Sequence, residues 1–460
     1  LIGSFVLLGL FPLIAKRLLS LIKSRKALAG WTKPDNYDRN LVVIGAGSGG
    51  LVSAYIAAAV KAEVSLIEKH KMGGDCLNTG CVPSKALIRS ARILSQSRRA
   101  GEWGFDNIDV SYDFANVMER VAKVVKQVEP HDSVERYSGL GVDVIEGEAK
   151  ITSPYSVEVN GVELRTRNII VASGARPFVP PIPGIEEIDY LTSDNLWGVR
   201  ELPKRLLVLG GGPIGCELAQ AFARFGSEVT IVEMAPRLMI REDEEVAEIV
   251  MQRFRDEGIN LLVGHKATSF VQGEGEGRLI CERDGEQVEV PFDRVLVAVG
   301  RKANTQGFGL EEVGVKLNDN GTVQTDEYLQ TSIPTIYACG DVAGPYQFTH
   351  TAGHQAWYAA VNSLFGALRR FRVDYSAVPF ATFTDPEVAR VGLNEQEARQ
   401  QGVEYEVTRF DLAELDRAIA EGETQGLVKV LTEPGKDRVL GATIVGEQAG
   451  ELIGEFTSAM

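Results

Sequence analysis

The sequence predicts an α/β protein built around two copies of one three-layer unit with a parallel sheet. Two observations lead to this prediction: a strand, turn, helix, strand pattern occurs twice, and the two turns together hold eight of the 48 glycines. The length accommodates two to four domains of about 100 to 200 residues each. With 44% hydrophobic and 24% charged residues, the composition excludes a disordered chain and a collagen-like fibre.

Charge and cysteine content exclude further classes. Asp and Glu number 63 against 48 Lys and Arg, a formal net charge of −15. Such a chain repels a phosphate backbone, so we expect no nucleic-acid partner. The cysteines are too few and too unevenly spaced for a secreted disulfide framework, which favours a reducing compartment. They are Cys76, Cys81, Cys216, Cys281 and Cys339.

Residues 1–15 are apolar except for Ser4, and a basic cluster begins at Lys16. Fifteen residues at about 1.5 Å each reach about 22 Å, short of a bilayer core of about 30 Å. We interpret this run as the end of a longer membrane segment. The basic cluster then places the body of the protein in the cytoplasm, attached to the inner face of a membrane. An interfacial helix or a packed N-terminal helix is the alternative, and residues 30–39 form a polar linker.

The first repeated pattern begins with the apolar run LVVI at residues 41–44, which enters GAGSGG. A small-residue helix follows, and the strand VSLI ends at Glu68. The second begins with LLVL at residues 206–209, enters GGGPIG and ends at Glu233. The fingerprint glycines are Gly45, Gly47 and Gly50, and Gly210, Gly212 and Gly215. From the first glycine to the acid the offset is 23 residues in both copies (45 to 68, 210 to 233), near the roughly 20 of a dinucleotide-binding fingerprint.

Each feature of the pattern has a physical role in binding a dinucleotide. The first glycine makes a tight turn, the second lets the backbone approach a pyrophosphate, and the third lets the helix pack closely on the strand. One such turn is often only a turn, but two with the same context predict two Rossmann-like dinucleotide sites. An acid at the end of the second strand suits a free ribose hydroxyl. Glu233 therefore favours NADH over NADPH, while the nearby Arg237 argues the other way.

The stretch GGDCLNTGCVPSKAL places Cys76 and Cys81 five residues apart. On a regular helix this spacing exceeds the roughly 4.4 to 6.8 Å that a disulfide allows between Cα atoms. A bond between them needs a distorted helical start. The turn-prone residues 78–80 supply the distortion, and Pro83 suits the first turn of the following helix.

Cys81 would lie near a helix N-terminus with Lys85 one turn further on, and both features lower the pKa of a thiol. Two buried structural cysteines, or half of a metal site, are the alternatives. Zinc requires four nitrogen or sulfur ligands, and only His70 lies close in sequence. We favour a redox site and predict no metal.

Together, GxGxxG, GGDCxNxGCxPSK, a second GxGxxGxE and ACGD resemble the class I pyridine nucleotide-disulfide oxidoreductases, the group of mercuric reductase, dihydrolipoamide dehydrogenase and glutathione reductase. The resemblance extends from about residue 38 to 460. It implies FAD in the first unit, a nicotinamide nucleotide in the second, and a C-terminal α+β dimerisation domain through which a homodimer forms. The implied domains are 1–36 (membrane segment end and linker), 37–197 (FAD, first part), 198–302 (NAD(P)), 303–372 (FAD, second part) and 373–460 (dimerisation, truncated).

The resemblance also implies roles for individual residues. Cys76 would be the interchange thiol that meets the substrate, and Cys81 the charge-transfer thiolate that faces the flavin. Lys85 would lie beside flavin N5, and Glu217 would compensate its charge. The further residues implied for FAD are Lys69, Gly74, Gly174, Asp341, Thr349 and His350, and the further residue implied for NAD is Gly300. Cys339 is expected to be a small buried side chain.

We therefore predict an FAD-dependent NAD(P)H oxidoreductase that passes electrons through a Cys76–Cys81 disulfide to a disulfide, dithiol or Hg(II) substrate. The alternatives are a membrane-associated flavoprotein NADH dehydrogenase and a nucleotide-binding regulatory module without disulfide turnover. The family carries a His-Pro-Thr stretch near its C-terminus, which this sequence lacks. We accordingly expect the sequence to be a fragment at both ends, and expect this chain to turn over disulfides poorly.

Overall fold

The structure is a computed structural model that describes residue 22 and residues 25–106, 108–273 and 276–460. The apolar run at residues 1–15, predicted to end a membrane segment, lies outside the described residues. Within the described residues, no helix combines the length and the apolar character needed to cross a membrane.

The predicted alternation of strands and helices is present. In chain order the strands are β1 (Arg39–Ile44), β2 (Val64–Glu68), β3 (Asp143–Glu146), β4 (Lys150–Ser153), β5 (Ser156–Val159), β6 (Val162–Val171), β7 (Ala175–Pro177), β8 (Tyr190–Leu191), β9 (Arg205–Leu209), β10 (Glu228–Glu233), β11 (Asn260–Val263), β12 (Lys266–Gln272), β13 (Gly277–Arg283), β14 (Glu286–Phe292), β15 (Arg294–Val297), β16 (Arg301–Ala303), β17 (Ile336–Ala338), β18 (Phe380–Thr382), β19 (Glu387–Gly392), β20 (Glu406–Asp411), β21 (Leu427–Thr432) and β22 (Val439–Gly446).

The α-helices, in the same order, are α1 (Ser48–Ala59), α2 (Gly74–Asn78), α3 (Cys81–Arg98), α4 (Phe114–Val128), α5 (Val134–Gly139), α6 (Pro213–Arg224), α7 (Glu244–Asp256), α8 (Thr349–Phe365), α9 (Glu395–Gln401), α10 (Asp416–Glu421) and α11 (Ala449–Ala459).

The chain divides into two compact units, each made of three segments. The first comprises Leu1–Cys76, Glu129–Arg176 and Lys302–Val373, and the second comprises Leu77–Val128, Pro177–Arg301 and Asp374–Met460. The domain boundaries inferred from the sequence stay a prediction.

The first unit is organised by a parallel sheet with the order β3-β2-β1-β6, to which β17 adds beside β6. Strand β1 pairs with β2 from Leu41 opposite Val64 to Ile44 opposite Ile67. The central residues of β1 are fully buried, as expected for a strand covered on both faces. Helices α1 and α8 pack against each other in this unit. The predicted strand, turn, helix, strand pattern is thus confirmed in the first copy.

The second unit contains the second copy, in a parallel sheet ordered β11-β10-β9-β15-β8. Helix α6 leads from β9 to β10 and packs on α3. Its Phe222 and the following Phe225 are fully buried, and both rings contact the ring of Phe114. An antiparallel sheet of β12, β13 and β14 follows in the chain.

The same unit holds a C-terminal antiparallel sheet with the order β18-β19-β22-β21-β20. Helix α11 packs on β19 and β22, burying Ala449 and Ile453 against that sheet. Alternating buried and less buried residues along β21 are typical of a strand with one covered face. This sheet and its helices confirm the predicted α+β architecture of the C-terminal part.

Candidate active site

The first glycine turn is as tight as the fingerprint predicts. Gly45 has a φ of +100°, and a Cβ there would lie 2.4 Å from the carbonyl oxygen of Ala172. A Cβ on Gly50 would lie 1.7 Å from the carbonyl oxygen of Gly45, so only glycine lets α1 approach the turn. Around Gly47 the nearest atom a Cβ would meet is the Cα of Gly74, at 3.9 Å. This opening fits the close approach of a pyrophosphate.

The second turn repeats this geometry in the other unit. Gly210 has a φ of +110°, and a Cβ there would lie 2.5 Å from the carbonyl oxygen of Ala298. A Cβ on Gly215 would lie 2.1 Å from the carbonyl oxygen of Gly210, and one on Gly212 would meet nothing within 4 Å. The two turns therefore share one arrangement: two glycines required by backbone contacts, and one that borders open space.

The two fingerprint acids are held in matching positions by backbone donors. Glu68 Oε2 accepts a hydrogen bond from the N–H of Ala46 at 2.7 Å, and Glu233 Oε2 accepts one from the N–H of Gly211 at 2.6 Å. The other carboxylate oxygen accepts from the N–H two residues after the acid, at 2.8 Å and 2.7 Å. A carboxylate keeps further lone pairs for a ribose, so both acids are oriented for a dinucleotide. The pattern predicted the acids but not these donors.

The redox stretch contains the interrupted helix that the cysteine spacing predicts. Cys76 lies in α2, Cys81 is the first residue of α3, and Thr79 and Gly80 separate the two helices. Pro83 falls in the first turn of α3, as predicted. The side chain of Cys76 is partly buried and that of Cys81 is exposed. A bond between the two sulfurs stays a prediction.

Lys85 and Glu217 are brought together within the second unit, by α3 and α6. The Nζ atom of Lys85 donates to Glu217 Oε2 at 2.8 Å. The lysine side chain is 36% exposed and the glutamate 8%. The other oxygen of Glu217 accepts from the N–H of Phe383 at 2.9 Å, and Lys85 Nζ lies 4.5 Å from the centroid of the Phe383 ring. Phe383 was missed by sequence reasoning.

The other residues predicted to contact FAD lie in the first unit. Lys69 is exposed and lies 3.7 Å from Glu148, and Gly174 accepts a hydrogen bond from the N–H of Asn304 at 3.0 Å. Asp341 is half-buried in a short 3-10 helix, Thr349 is the first residue of α8, and His350 is exposed.

Gln355, which sequence reasoning missed, fixes the turn that carries Asp341. Its fully buried side chain accepts from the N–H of Gly340 and donates to the carbonyl of Gly344, both at 2.6 Å. The available signal was a long polar side chain among the small buried residues of α8. Another missed residue is Asn304, whose Nδ2 donates to the carbonyl of Ser173 at 3.0 Å.

Gly300, predicted to contact the nicotinamide nucleotide, follows β15 in the second unit. Its φ is +123°, with open space on the side where a Cβ would stand. Its carbonyl accepts a hydrogen bond from the N–H of Phe178 at 2.9 Å.

Two other cysteines lie near the glycine turns but are buried. Burial raises the pKa of the Cys216 thiol well above its usual value, and raises that of Cys339 to about 12. Both thiols therefore stay protonated near neutral pH, and a protonated thiol is a poor nucleophile. The prediction that Cys339 is a buried side chain is confirmed.

Two dinucleotide cradles and a cysteine pair at a helix start are typical of an oxidoreductase. Residues 39–356 match the family model described as pyridine nucleotide-disulphide oxidoreductase, and residues 378–460 match the dimerisation domain of that name. The chain belongs to the pyridine nucleotide-disulphide oxidoreductase family. It is an enzyme that uses FAD and a pyridine nucleotide, and it transfers electrons through a disulfide.

Relatives include proteins with different substrates. The chain is 35% identical to a mercuric reductase of Staphylococcus aureus, covering 92% of this chain and 77% of the relative. It is also 35% identical to a dihydrolipoyl dehydrogenase of Chlamydia muridarum, covering 91% and 90%. Among solved structures, the HOCl-induced flavoprotein disulfide reductase RclA of Escherichia coli is 30% identical, covers 92% of this chain and 93% of its own, and has a TM-score of 0.80.

Proposed function

We propose that Cys76 and Cys81 form the redox-active disulfide, with Cys76 as the thiol that meets the substrate and Cys81 as the thiolate that meets the flavin. The contact between Lys85 and Glu217 carries the proposal. It holds an ammonium group, still reachable by solvent, on a buried carboxylate one turn beyond Cys81. A positive charge in such a position stabilises both a thiolate and an anionic reduced flavin.

The electron balance of the proposed reaction is simple. When bound, FAD would supply a two-electron carrier between the nicotinamide and the Cys76–Cys81 bond. The Cys76–Cys81 bond takes up two electrons and breaks. Cys81 becomes a thiolate and Cys76, after taking up one proton, a thiol. The Cys76 thiol loses its proton to solvent and attacks a substrate disulfide, forming a mixed disulfide and releasing one substrate thiolate. The Cys81 thiolate then attacks the Cys76 sulfur, which reforms the Cys76–Cys81 bond and releases the second substrate thiolate.

Anaerobic reduction by NADH, followed by absorbance spectroscopy, tests the two cysteine roles. We expect the long-wavelength band of a thiolate stacked on flavin in the reduced wild-type protein and in oxidised Cys76→Ser, but not in Cys81→Ser. Both variants should lose substrate turnover. Cys281→Ala is the matched control, since Cys281 is fully buried in β13. A band that persists in Cys81→Ser would contradict the assignment.

We further propose that NADH is preferred over NADPH. Glu233 is held with its carboxylate in the second cradle, where it repels a 2′-phosphate. Arg237, the residue that argues otherwise, is already engaged: its Nη2 donates to Gln396 Oε1 at 2.7 Å and to the carbonyl of Glu242 at 3.0 Å. We expect kcat/KM to be higher with NADH, and Glu233→Ala to narrow the difference. Arg237→Ala should leave NADPH use unchanged. A preference for NADPH would overturn this proposal.

For the substrate, we propose a small disulfide, a dithiol or Hg(II), as the names of the curated relatives suggest. A thiolate of Cys76 attacks a disulfide or binds Hg(II), whereas a dithiol attacks the Cys76 sulfur of the oxidised pair, so that electrons flow from the substrate to the nucleotide. Assays with dihydrolipoamide and NAD, with a small disulfide and NADH, and with Hg(II) and NADH distinguish them. If the wild-type protein turned over none of the three substrates faster than the Cys76→Ser variant does, all three would be excluded.

We propose a homodimer, because residues 378–460 match a dimerisation domain. Light scattering of the purified protein should give twice the mass of the chain. A monomer that retains full turnover would contradict the proposal.

Membrane attachment is proposed on the apolar residues 1–15 and the basic residues that follow them. It also favours the second candidate function, a membrane-associated NADH dehydrogenase without disulfide turnover. Cell fractionation tests attachment: the protein should stay with membranes after a carbonate wash. Cys76→Ser separates the functions, because a dehydrogenase that bypasses the disulfide would be indifferent to the change.

A further inference from the structure

One face of α6 forms hydrogen bonds with residues 383–385, which lie between β18 and β19 in the same compact unit. The α6 side chains that make these bonds are those of Glu217, Gln220 and Arg224. They are spaced three and four residues apart, so they share one side of the helix. Each makes a polar contact with the 383–385 segment.

The contacts form three successive rows. In the first, Glu217 Oε1 accepts from the N–H of Phe383 at 2.9 Å. In the second, Gln220 accepts from the N–H of Asp385 and donates to its carbonyl, both at 2.8 Å. In the third, Arg224 Nη2 donates to Asp385 Oδ2 at 2.7 Å.

All three rows are buried, the second and third most deeply, and they hold the segment in place. Gln220 is 3% exposed and Arg224 5%. Arg224 is also bound by Glu257, through Nη2 at 2.6 Å and Nε at 2.9 Å. Charge-assisted hydrogen bonds of this kind gain strength when water is excluded. Helix α6 consequently helps to set the position of Phe383.

Two groups then act on the ammonium of Lys85. Glu217 offers it a single oxygen, because the other is engaged by the N–H of Phe383. The Phe383 ring lies 4.5 Å from Nζ, within the roughly 6 Å at which a cation is attracted to an aromatic face. A lysine side chain otherwise samples many rotamers. The carboxylate and the ring together confine it.

We propose that Phe383 is a positioning residue for electron transfer: its ring and its N–H, held in place by Gln220 and Arg224, fix the ammonium of Lys85 where it stabilises reduced flavin. The inference rests on the role proposed above for Lys85. It adds a residue of the C-terminal sheet region to the groups that set the redox behaviour of the flavin.

The experiment measures the flavin midpoint potential and the rate of flavin reduction by NADH. We expect Phe383→Leu to shift the potential to a more negative value and to slow reduction by about threefold to tenfold, the range expected from losing one cation–aromatic contact. Phe383→Tyr should restore both, because a phenol ring also attracts a cation. Phe410→Leu, at an exposed ring on β20, is the matched control and should leave both unchanged.

A graded series separates the attraction of the ring from its shape. Replacing Phe383 by phenylalanines with one, two and three ring fluorines weakens the negative face while the ring volume hardly changes. The potential should fall stepwise with fluorine number. An unchanged potential across the series, or in stably folded Phe383→Leu protein, would overturn the proposal.

Lys85→Gln distinguishes this inference from the function on which it rests. A potential that Lys85→Gln leaves unchanged would reject the proposed role of the lysine itself. A potential that shifts in Lys85→Gln but stays constant across the fluorinated series would reject Phe383 alone.

Discussion

Two lysines of the second unit show how surroundings decide the use of one residue type. Lys429 is 1% exposed, and its ammonium contacts Asp243 at 2.8 Å, Glu395 at 2.9 Å and also Glu245. Burial lowers its pKa, but the carboxylates outweigh burial and raise the pKa above its usual value. Lys85 has one carboxylate and an aromatic ring, and more than a third of its side chain reaches solvent. The surroundings of Lys429 favour a role in stability, whereas Lys85 is the lysine for which we propose a role in the chemistry.

Replacing each lysine in turn and measuring both stability and flavin potential tests whether the two lysines have different roles. Lys429→Met should lower the free energy of unfolding by about 3 to 5 kcal/mol, because it leaves the buried carboxylate of Asp243 without its cation. It should leave the flavin midpoint potential unchanged in protein that folds. Lys85→Met should do the reverse, with little loss of stability and slow flavin reduction. Denaturation curves and potentiometry give both quantities, and a potential shifted equally by the two variants would contradict the division.

At the scale of elements, the two glycine turns share one close contact between a helix start and the turn before it. In each, a helix begins so close to the preceding turn that a side chain at the third glycine would overlap a backbone oxygen. The backbone cannot withdraw, because the oxygen belongs to the turn that precedes the helix. The requirement for glycine is therefore steric and independent of the bound nucleotide.

Gly50→Ala should consequently destabilise the first unit and release FAD, since its Cβ would stand 1.7 Å from the Gly45 oxygen. Gly139→Ala, at the end of α5 in the same unit, is the matched control because a Cβ there meets nothing within 4 Å. That change should be neutral or stabilise by about 0.4 to 1 kcal/mol. Thermal unfolding and retained flavin absorbance measure the outcome. Equal melting temperatures for the two variants would refute the steric argument.

At the scale of the whole molecule, charge is concentrated in networks within the second unit. Asp385 joins one of them through Arg224 at 2.7 Å, and Arg253 lies 3.8 Å away. Burial acts to raise the pKa of Asp385, but the two arginines outweigh it and hold the pKa below its usual value. A carboxyl with a lowered folded-state pKa stabilises the fold above its unfolded pKa of about 3.9. That stability is lost as the pH falls through the folded value.

We therefore expect the free energy of unfolding to decrease below about pH 4, with Asp385 among the contributing groups. Asp385→Asn should lower stability near neutral pH and flatten this acid limb, because the side chain then has no charge to lose. Urea unfolding of both proteins between about pH 3 and 7 measures the slopes. Parallel curves for the two proteins would exclude Asp385 as a contributor.

The parts of the fold and site that follow from short sequence patterns were predictable. The glycine turns, the acids Glu68 and Glu233, and the interruption before Cys81 each depend on neighbours within about 25 residues, where spacing limits geometry. Phe383 and Glu217 are 166 residues apart in the chain, and no local period links them. Contacts of that range arise from tertiary packing, which one sequence does not reveal. The membrane prediction for residues 1–15 lies outside the described residues.

The junction of α6 with residues 383–385 has a consequence for protein engineering. Glu217 and Phe383 belong to stretches matched by two separate family models. From these matches alone, each stretch would be treated as a domain that can be exchanged independently. A chimera that took only its C-terminal portion from a homologue would separate the segment at residues 383–385 from the α6 side chains that hold it. If Phe383 acts as we propose, such a chimera would have an altered flavin midpoint potential even with every cofactor contact preserved, unless the α6 face were transferred together with residues 383–385.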